Sequence, residues 1–252
     1  MPSPALLDEA VAAHGGAAYD RAAEIEVDVS CSGWAFVLKR QRGAFAGFTG
    51  TVSTGEQRVV LAPYPNPGQR GVLENGNVRI EDDTGQVVAE RERPRSYFKG
   101  RRNLWWDDLD LLYFGGYALW GYMNAPFVFR SDEYEVEETE PWVESGESWR
   151  GLRVRFPDHV AAHSGEQLYY FGADGLLRRN DYTAEVFGGW AKATHYCWEH
   201  KTLSGLTIPT HRKAIPRLPN GKPLRQFVLV EIKIADARLR PRVPEAAVTG
   251  TP

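Results

Sequence analysis

The sequence predicts a mainly β protein of the α+β type. Its expected architecture is a large curved antiparallel sheet in meander order, a half-barrel, covered by an N-terminal helix and a buried aromatic helix. Three observations lead there. About a dozen short runs alternate apolar and polar residues, with hairpin turn signals between them. The stretch Leu104–Phe129 lacks that alternation and carries nine of the chain's thirty aromatic residues. A sheet with so many strands must curl, split or close, and this stretch is the one segment apolar enough to fill a concave face.

The elements follow in order. Ser3 and Pro4 suit a helix N-cap followed by proline at the first helical position. Leu6, Leu7, Ala10, Val11 and His14 then fall on one face, and Gly15-Gly16 supplies a left-handed stop. Glu24–Cys31 alternates, with Ile25, Val27, Val29 and Cys31 on the buried side. Strands are expected to continue over Gly33–Arg40, Ala44–Ser53 and Gln57–Leu61. Asn75-Gly76 is a type I′ hairpin signal between Gly71–Glu74 and Asn77–Glu81. Gln86–Glu90 follows the Asp83-Thr84-Gly85 turn.

From Asp107 to Met123 the aromatic stretch reads as one helix, apolar nearly all round, which must be buried. Asp107, Asp108 and Asp110 crowd its start, where the helix dipole favours carboxylates. Gly115-Gly116 inside it costs roughly 1 kcal/mol per glycine relative to alanine, which points to close packing against a strand. Strands resume at Tyr134–Glu138, Ser148–Phe156, Gln167–Phe171, Leu176–Val186, Ala193–Leu203, Leu206–Ile215 and Arg225–Ala235. With no linker to divide them, residues 1–240 read as one half-barrel domain and 241–252 as a flexible tail.

The net charge of −3 mixes 30 basic with 33 acidic residues, and the densest basic spot, Arg91–Arg102, is interrupted by Glu92, Pro94 and aromatics. It reads as a solvated face, so no nucleic-acid partner is expected. Met-Pro-Ser-Pro leads into a helix bearing Asp8 and Glu9, without the basic region and apolar core of a secretory signal. The apolar run of the aromatic stretch is shorter than the roughly 20 residues a membrane span needs. The expected setting is the cytoplasm, with Cys31 and Cys197 as reduced thiols.

The opening helix ending in Ala13-His14-Gly15-Gly16, a short segment, and the alternating strand from Glu24 resemble the LolA/LolB lipoprotein carriers. The order of meander, helical cover and meander is similar as well. What the resemblance implies is a curved antiparallel sheet with an apolar cavity under helices. A lipobox cysteine of the kind those carriers have is not seen, so the expectation is the cavity rather than lipoprotein shuttling.

Candidate chemistry is sparse. His159 and His163 have the i, i+4 spacing of a metal pair on a helix, but they sit in a loop with proline and glycine, and no Cys-x-x-Cys or His-Glu-x-x-His pattern supports them. No metal and no cofactor are expected; nucleotide fingerprints and the nucleophile elbow are missing. The hairpin Leu176–Val186/Ala193–Leu203 offers more. A turn near Gly188-Gly189 sets Tyr182 across from His195 and Asp181 across from Tyr196, within a residue or two, each pair on one face. Asp181, Tyr182 and His195 are therefore the candidates for proton transfer.

Two functions fit best. The first is a cytoplasmic binding protein for an apolar small molecule (acyl, terpenoid or polyketide-like), with Trp105, Tyr113, Tyr117, Trp120 and Tyr122 lining the cavity. The alternative is a cofactor-independent enzyme, a cyclase, isomerase, lyase or hydrolase, in the same cavity. A third reading treats the aromatics as core alone.

Overall fold

In the computed structural model, which describes residues 4–242, thirteen strands form one sheet. The first half holds β1 (Ala22–Ser32), β2 (Phe48–Ser53), β3 (Arg58–Ala62), β4 (Gln69–Glu74), β5 (Asn77–Asp82) and β6 (Val87–Arg91). The second holds β7 (Glu135–Glu144), β8 (Glu147–Arg155), β9 (Glu166–Phe171), β10 (Leu177–Thr183), β11 (Lys192–Leu203), β12 (Leu206–Pro216) and β13 (Val230–Pro241). The spatial order is β6-β5-β4-β3-β2-β1-β13-β12-β11-β10-β9-β8-β7. Two antiparallel meanders thus join at the middle of the sheet through β1 and β13, with β6 and β7 as its edges.

Four helices accompany the sheet: α1 (Ala5–Ala13), α2 (Gly16–Arg21), α3 (Trp34–Leu38) and α4 (Asp108–Asn124). The chain leaves one edge at β6 and re-enters at the other with β7, and α4 lies on that crossover. The helix packs on β2 to β6, yet its Tyr117 shares a small void with Tyr169 of β9. In a flat sheet β5 and β9 would stand roughly 43 Å apart at about 4.8 Å per strand. One helix reaches both because the sheet curves around it. The aromatic stretch fills the concave face, as its composition requires.

Glycine on both sides brings α4 close to the sheet. A Cβ at Gly116 would sit 2.8 Å from Leu73 Cβ, and one at Gly115 would sit 2.4 Å from the Phe45 ring. The three aspartates begin the helix as expected. Asp107 accepts from the Asp110 backbone N–H at 2.9 Å, and the Asp110 carboxylate accepts from the Asp107 N–H at 3.2 Å, a reciprocal capping box. Arg91 and Arg102 bridge both carboxylates, so the basic run turns inward here.

Several elements differ from the sequence reading. Gly33–Arg40 contains α3 instead of a strand. The backbone N–H groups of Trp34 and Ala35 donate to the carbonyls of Val228 and Leu229, outside any ladder. Ala44–Gly47 is a turn that inserts Phe45 into the core, and β2 begins only at Phe48. β10 stops at Thr183 because Glu185–Phe187 folds into a 3₁₀ turn. Gly15 does adopt the left-handed conformation, at φ +91°, but Gly16 starts α2 rather than leading straight to β1. The Ser3 cap lies outside the described residues, and Pro4 caps α1 without a side-chain bond. Pro241 pairs with Ala22 and so belongs to the sheet; the rest of the expected tail, from residue 243, lies outside the described residues.

Candidate functional site

The space between α4 and the second half of the sheet is filled by side chains rather than by backbone contact. α4 contributes Tyr117, Trp120 and Tyr122. β9 contributes Gln167 and Tyr169, β10 Asn180 and Tyr182, β11 His195, and β12 Arg212. Alternation selects these residues. Asn180 and Tyr182 face inward while Arg179 and Asp181 face outward, and Leu206, Ile208, Thr210, Arg212 and Ala214 form the buried side of β12.

The loop between β8 and β9 closes this seam. Gln57 holds it by two bonds to Ala161, donating Nε2 to the carbonyl at 2.7 Å and accepting the N–H at 2.8 Å. Arg95 donates Nη1 to the Ala162 carbonyl at 2.9 Å and also pairs with Glu185. His163, at the inner end of the loop, stacks on Tyr182 with ring centroids 3.9 Å apart and planes 5° from parallel. Its Nε2 lies 3.0 Å from the Tyr122 hydroxyl. His159 is exposed near Glu133, so the i, i+4 histidine pair diverges and does not form a metal site.

Beneath the loop is a void of about 20 Å³ lined by Tyr117, Trp120, Tyr122, His163, Tyr169 and Arg212. A second, of about 30 Å³, lies among Phe45, Phe114, Leu119 and Ile232. Ala118 and Tyr122 line both, so these residues divide one seam into two spaces. Each space has room for about one water.

Among the described residues, polar atoms are left without partners here, which is uncommon for buried groups. They are the Tyr117 hydroxyl, His163 Nδ1, both ring nitrogens of His195, and Arg212 Nε. Burial keeps the imidazoles neutral. It lowers His163 to about 3, with Arg95 adding to the effect, and it pushes His195 well down, helped by Arg212. Burial likewise raises the Tyr117 and Tyr122 phenols well above their ordinary range.

The sequence-predicted residues divide accordingly. Tyr117, Trp120 and Tyr122 line the seam, with Trp120 Nε1 donating to the Glu56 carbonyl at 2.9 Å. Tyr113 packs on Tyr117 at 5.1 Å and faces the open cleft outside the β8–β9 loop. Trp105 does not join them; it stands half-buried between the guanidinium groups of Arg40 and Arg101, at 5.1 and 4.6 Å. The β10–β11 register is two residues from the expected one, setting Tyr182 opposite Ala193 and Asn180 opposite His195. A shift of two preserves the face, so Tyr182 and His195 remain neighbours at 6.3 Å. Asp181 is on the other side of the sheet, where both its oxygens accept from Arg179 at 2.7 Å. It therefore takes no part in a shared site with Tyr182 and His195. Arg212 was not anticipated, although a lone arginine on the apolar side of Leu206–Ala214 was the available signal.

No protein-family model matches the sequence, and no curated protein matches it either. Solved structures do resemble the fold. A LolA superfamily protein from Nitrosomonas europaea aligns with TM-score 0.54 at 10% identity, over 96% of each chain. A DUF1329 family protein from Desulfovibrio piger gives 0.53 at 12%, covering 97% of this chain and 96% of that one. A putative outer membrane lipoprotein-sorting protein domain from Vibrio parahaemolyticus gives 0.53 at 9%, covering 95% and 94%. The chain has a LolA-like fold. Among the described residues no helix is long and apolar enough to cross a membrane.

Proposed function

We propose that the protein binds an apolar small molecule of acyl, terpenoid or polyketide-like character in the seam between α4 and β9–β12. The observation that carries this reading is the division of the seam. Two voids flank Tyr122 and Ala118, and several buried polar atoms around them have no partner. A side chain turning at Tyr122 joins the two spaces, and release of the β8–β9 loop opens them to the outside. Ligand sites of this kind are concave, mostly apolar and furnished with a few polar groups. The shared fold with the Vibrio lipoprotein-sorting domain is in keeping with an apolar cargo. The cytoplasm, with Cys31 and Cys197 as free thiols, is the compartment we propose.

The enzyme reading comes second. Its support is the His163–Tyr122 contact beside Tyr182 and His195. Against it, an imidazole held near 3 and phenols pushed upward are poor proton shuttles at neutral pH.

The test uses N-phenyl-1-naphthylamine, an uncharged dye that fluoresces on entering an apolar site. Gly121 is the place to block the seam, since it lines the first void and a Cβ there meets nothing within 4 Å. The protein should take up the dye saturably, and Gly121→Leu should reduce uptake while the fold persists. Equal uptake by the two proteins would remove the seam as the site.

A further inference from the structure

Arg212 differs from the other deeply buried arginines. Arg179, fully buried on the convex face, is paired with Asp181 and Glu144. Arg91, largely buried at the start of α4, is paired with Asp107 and Asp110. Arg212 is 2% exposed, and no carboxylate among the described residues pairs with it. Its Nη2 donates to the Tyr122 carbonyl at 3.2 Å, and its Nη1 makes a long contact of 3.7 Å with Cys197 Sγ. Nε has no partner. The Tyr122 ring lies 4.9 Å from the guanidinium carbon and compensates part of the charge. A guanidinium carries five donors and stays charged when buried, so most of this one's hydrogen-bonding capacity is unused where a charge without a counter-ion is strongly disfavoured.

The surroundings favour an anion. Arg212 lines the first void, and the unpartnered Tyr117 hydroxyl and His163 Nδ1 belong to residues lining the same void. Along the seam from there, past Tyr122 and Ala118, the walls become Phe45, Phe48, Phe114, Leu119 and Ile232, all hydrocarbon. One end of the seam is cationic and polar, and the other is apolar.

We propose that Arg212 receives the head of an amphipathic ligand, a carboxylate on a hydrocarbon chain, with the chain running along α4 toward Phe114 and Leu119. The proposal rests on the apolar-ligand reading above and adds the head group to it. A planar carboxylate suits a single guanidinium fork. A phosphate monoester brings about two charges to a site with one fixed cation.

The experiment measures binding of cis-parinaric acid, a fluorescent fatty acid, and of its methyl ester, with the uncharged naphthylamine dye as control. The intact protein should bind the acid about tenfold or more tighter than the ester, the scale of hydrogen bonds to a charged group. Arg212→Met should erase that preference, so that acid and ester bind alike. Equal binding of acid and ester by the intact protein would overturn the proposal without recourse to a variant. So would a folded Arg212→Met that keeps its preference for the acid. Dodecyl phosphate displacing the dye better than dodecanoate would overturn the choice of carboxylate. If neither the dye nor either parinaric compound binds the intact protein, the apolar-ligand reading fails and the head-group proposal falls with it.

Discussion

His163 lies flat on Tyr182, with centroids 3.9 Å apart, while its Nε2 meets the Tyr122 hydroxyl at 3.0 Å. One imidazole therefore joins a surface loop to the sheet on one side and to α4 on the other. Removing it tests how firmly the loop is held. His163→Ala should cost about 2 to 3 kcal/mol, from the lost stacking and a buried hydroxyl left unpaired. It should also quicken dye entry. Urea unfolding and stopped-flow fluorescence would measure the two effects, and an unchanged entry rate would mean that the loop does not gate the seam.

Acid should destabilise the protein through its buried histidines. Burial lowers His14 to about 4 and His163 to about 3, from the ordinary 6.5. Below pH 6.5 the unfolded chain binds protons at these sites while the folded chain does not. The stability from burying neutral rings is thus fully present above pH 6.5 and is lost as pH falls toward 4 and then 3. Each ring adds a slope of up to about 1.4 kcal/mol per pH unit in that window. Unfolding free energies across the window should show this slope, and His14→Gln and His163→Gln should each flatten it.

The helix glycines should respond in opposite directions. Gly116→Ala forces a Cβ to 2.8 Å from Leu73 Cβ and should cost about 1 to 3 kcal/mol by overpacking. Gly121→Ala meets nothing within 4 Å and should stabilise by up to about 1 kcal/mol through helix propensity. Thermal unfolding of the pair would separate these contributions; a shared sign would contradict the packing described for α4.

Asp181 should prove structural. Asp181→Asn removes the paired charge from fully buried Arg179 and should cost about 3 kcal/mol or somewhat less, since Glu144 remains as a partner. Dye binding by the folded fraction should be unaltered, because the carboxylate faces away from the seam. Loss of binding with stability intact would place Asp181 back in the site.

The legibility of these features in the sequence follows from the range of the forces involved. Alternation in Glu24–Cys31 and the Asn75-Gly76 turn are local: Ile25, Val27 and Val29 are buried and Cys31 is half-buried, and Asn75 and Gly76 stand at φ +48° and +76°. The burial of α4 was equally plain, since no face of Leu109–Met123 could meet water. Trp34–Leu38 departs from the expected strand because a short apolar run suits either a strand or a helix. Here the carbonyls of Val228 and Leu229, distant in sequence, decide it. The β10–β11 register lies two residues from the centred pairing, at the edge of the expected range, because Glu185–Phe187 adds a 3₁₀ turn before the glycine pair. Faces survive that shift, whereas exact partners do not. Arg212 was legible only as an exception to its strand's pattern, and its missing counter-charge is a three-dimensional fact.

The pairing of β1 with β13 has a consequence for how the chain is made. Arg238 and Glu26 share a salt bridge across 212 residues of sequence. Each meander can zip from neighbour to neighbour, whereas the contact between the meanders waits until β13 has emerged from the ribosome. Closing so wide a loop is slow compared with forming hairpins. Until then β1 has a bare flank in what will become the middle of the sheet, with Ile25, Val27 and Val29 beside it. A chain cut short before β13 loses its keystone rather than its fringe, and the exposed flank invites pairing with other chains. Newly made protein should therefore depend most on chaperones until β13 has been made.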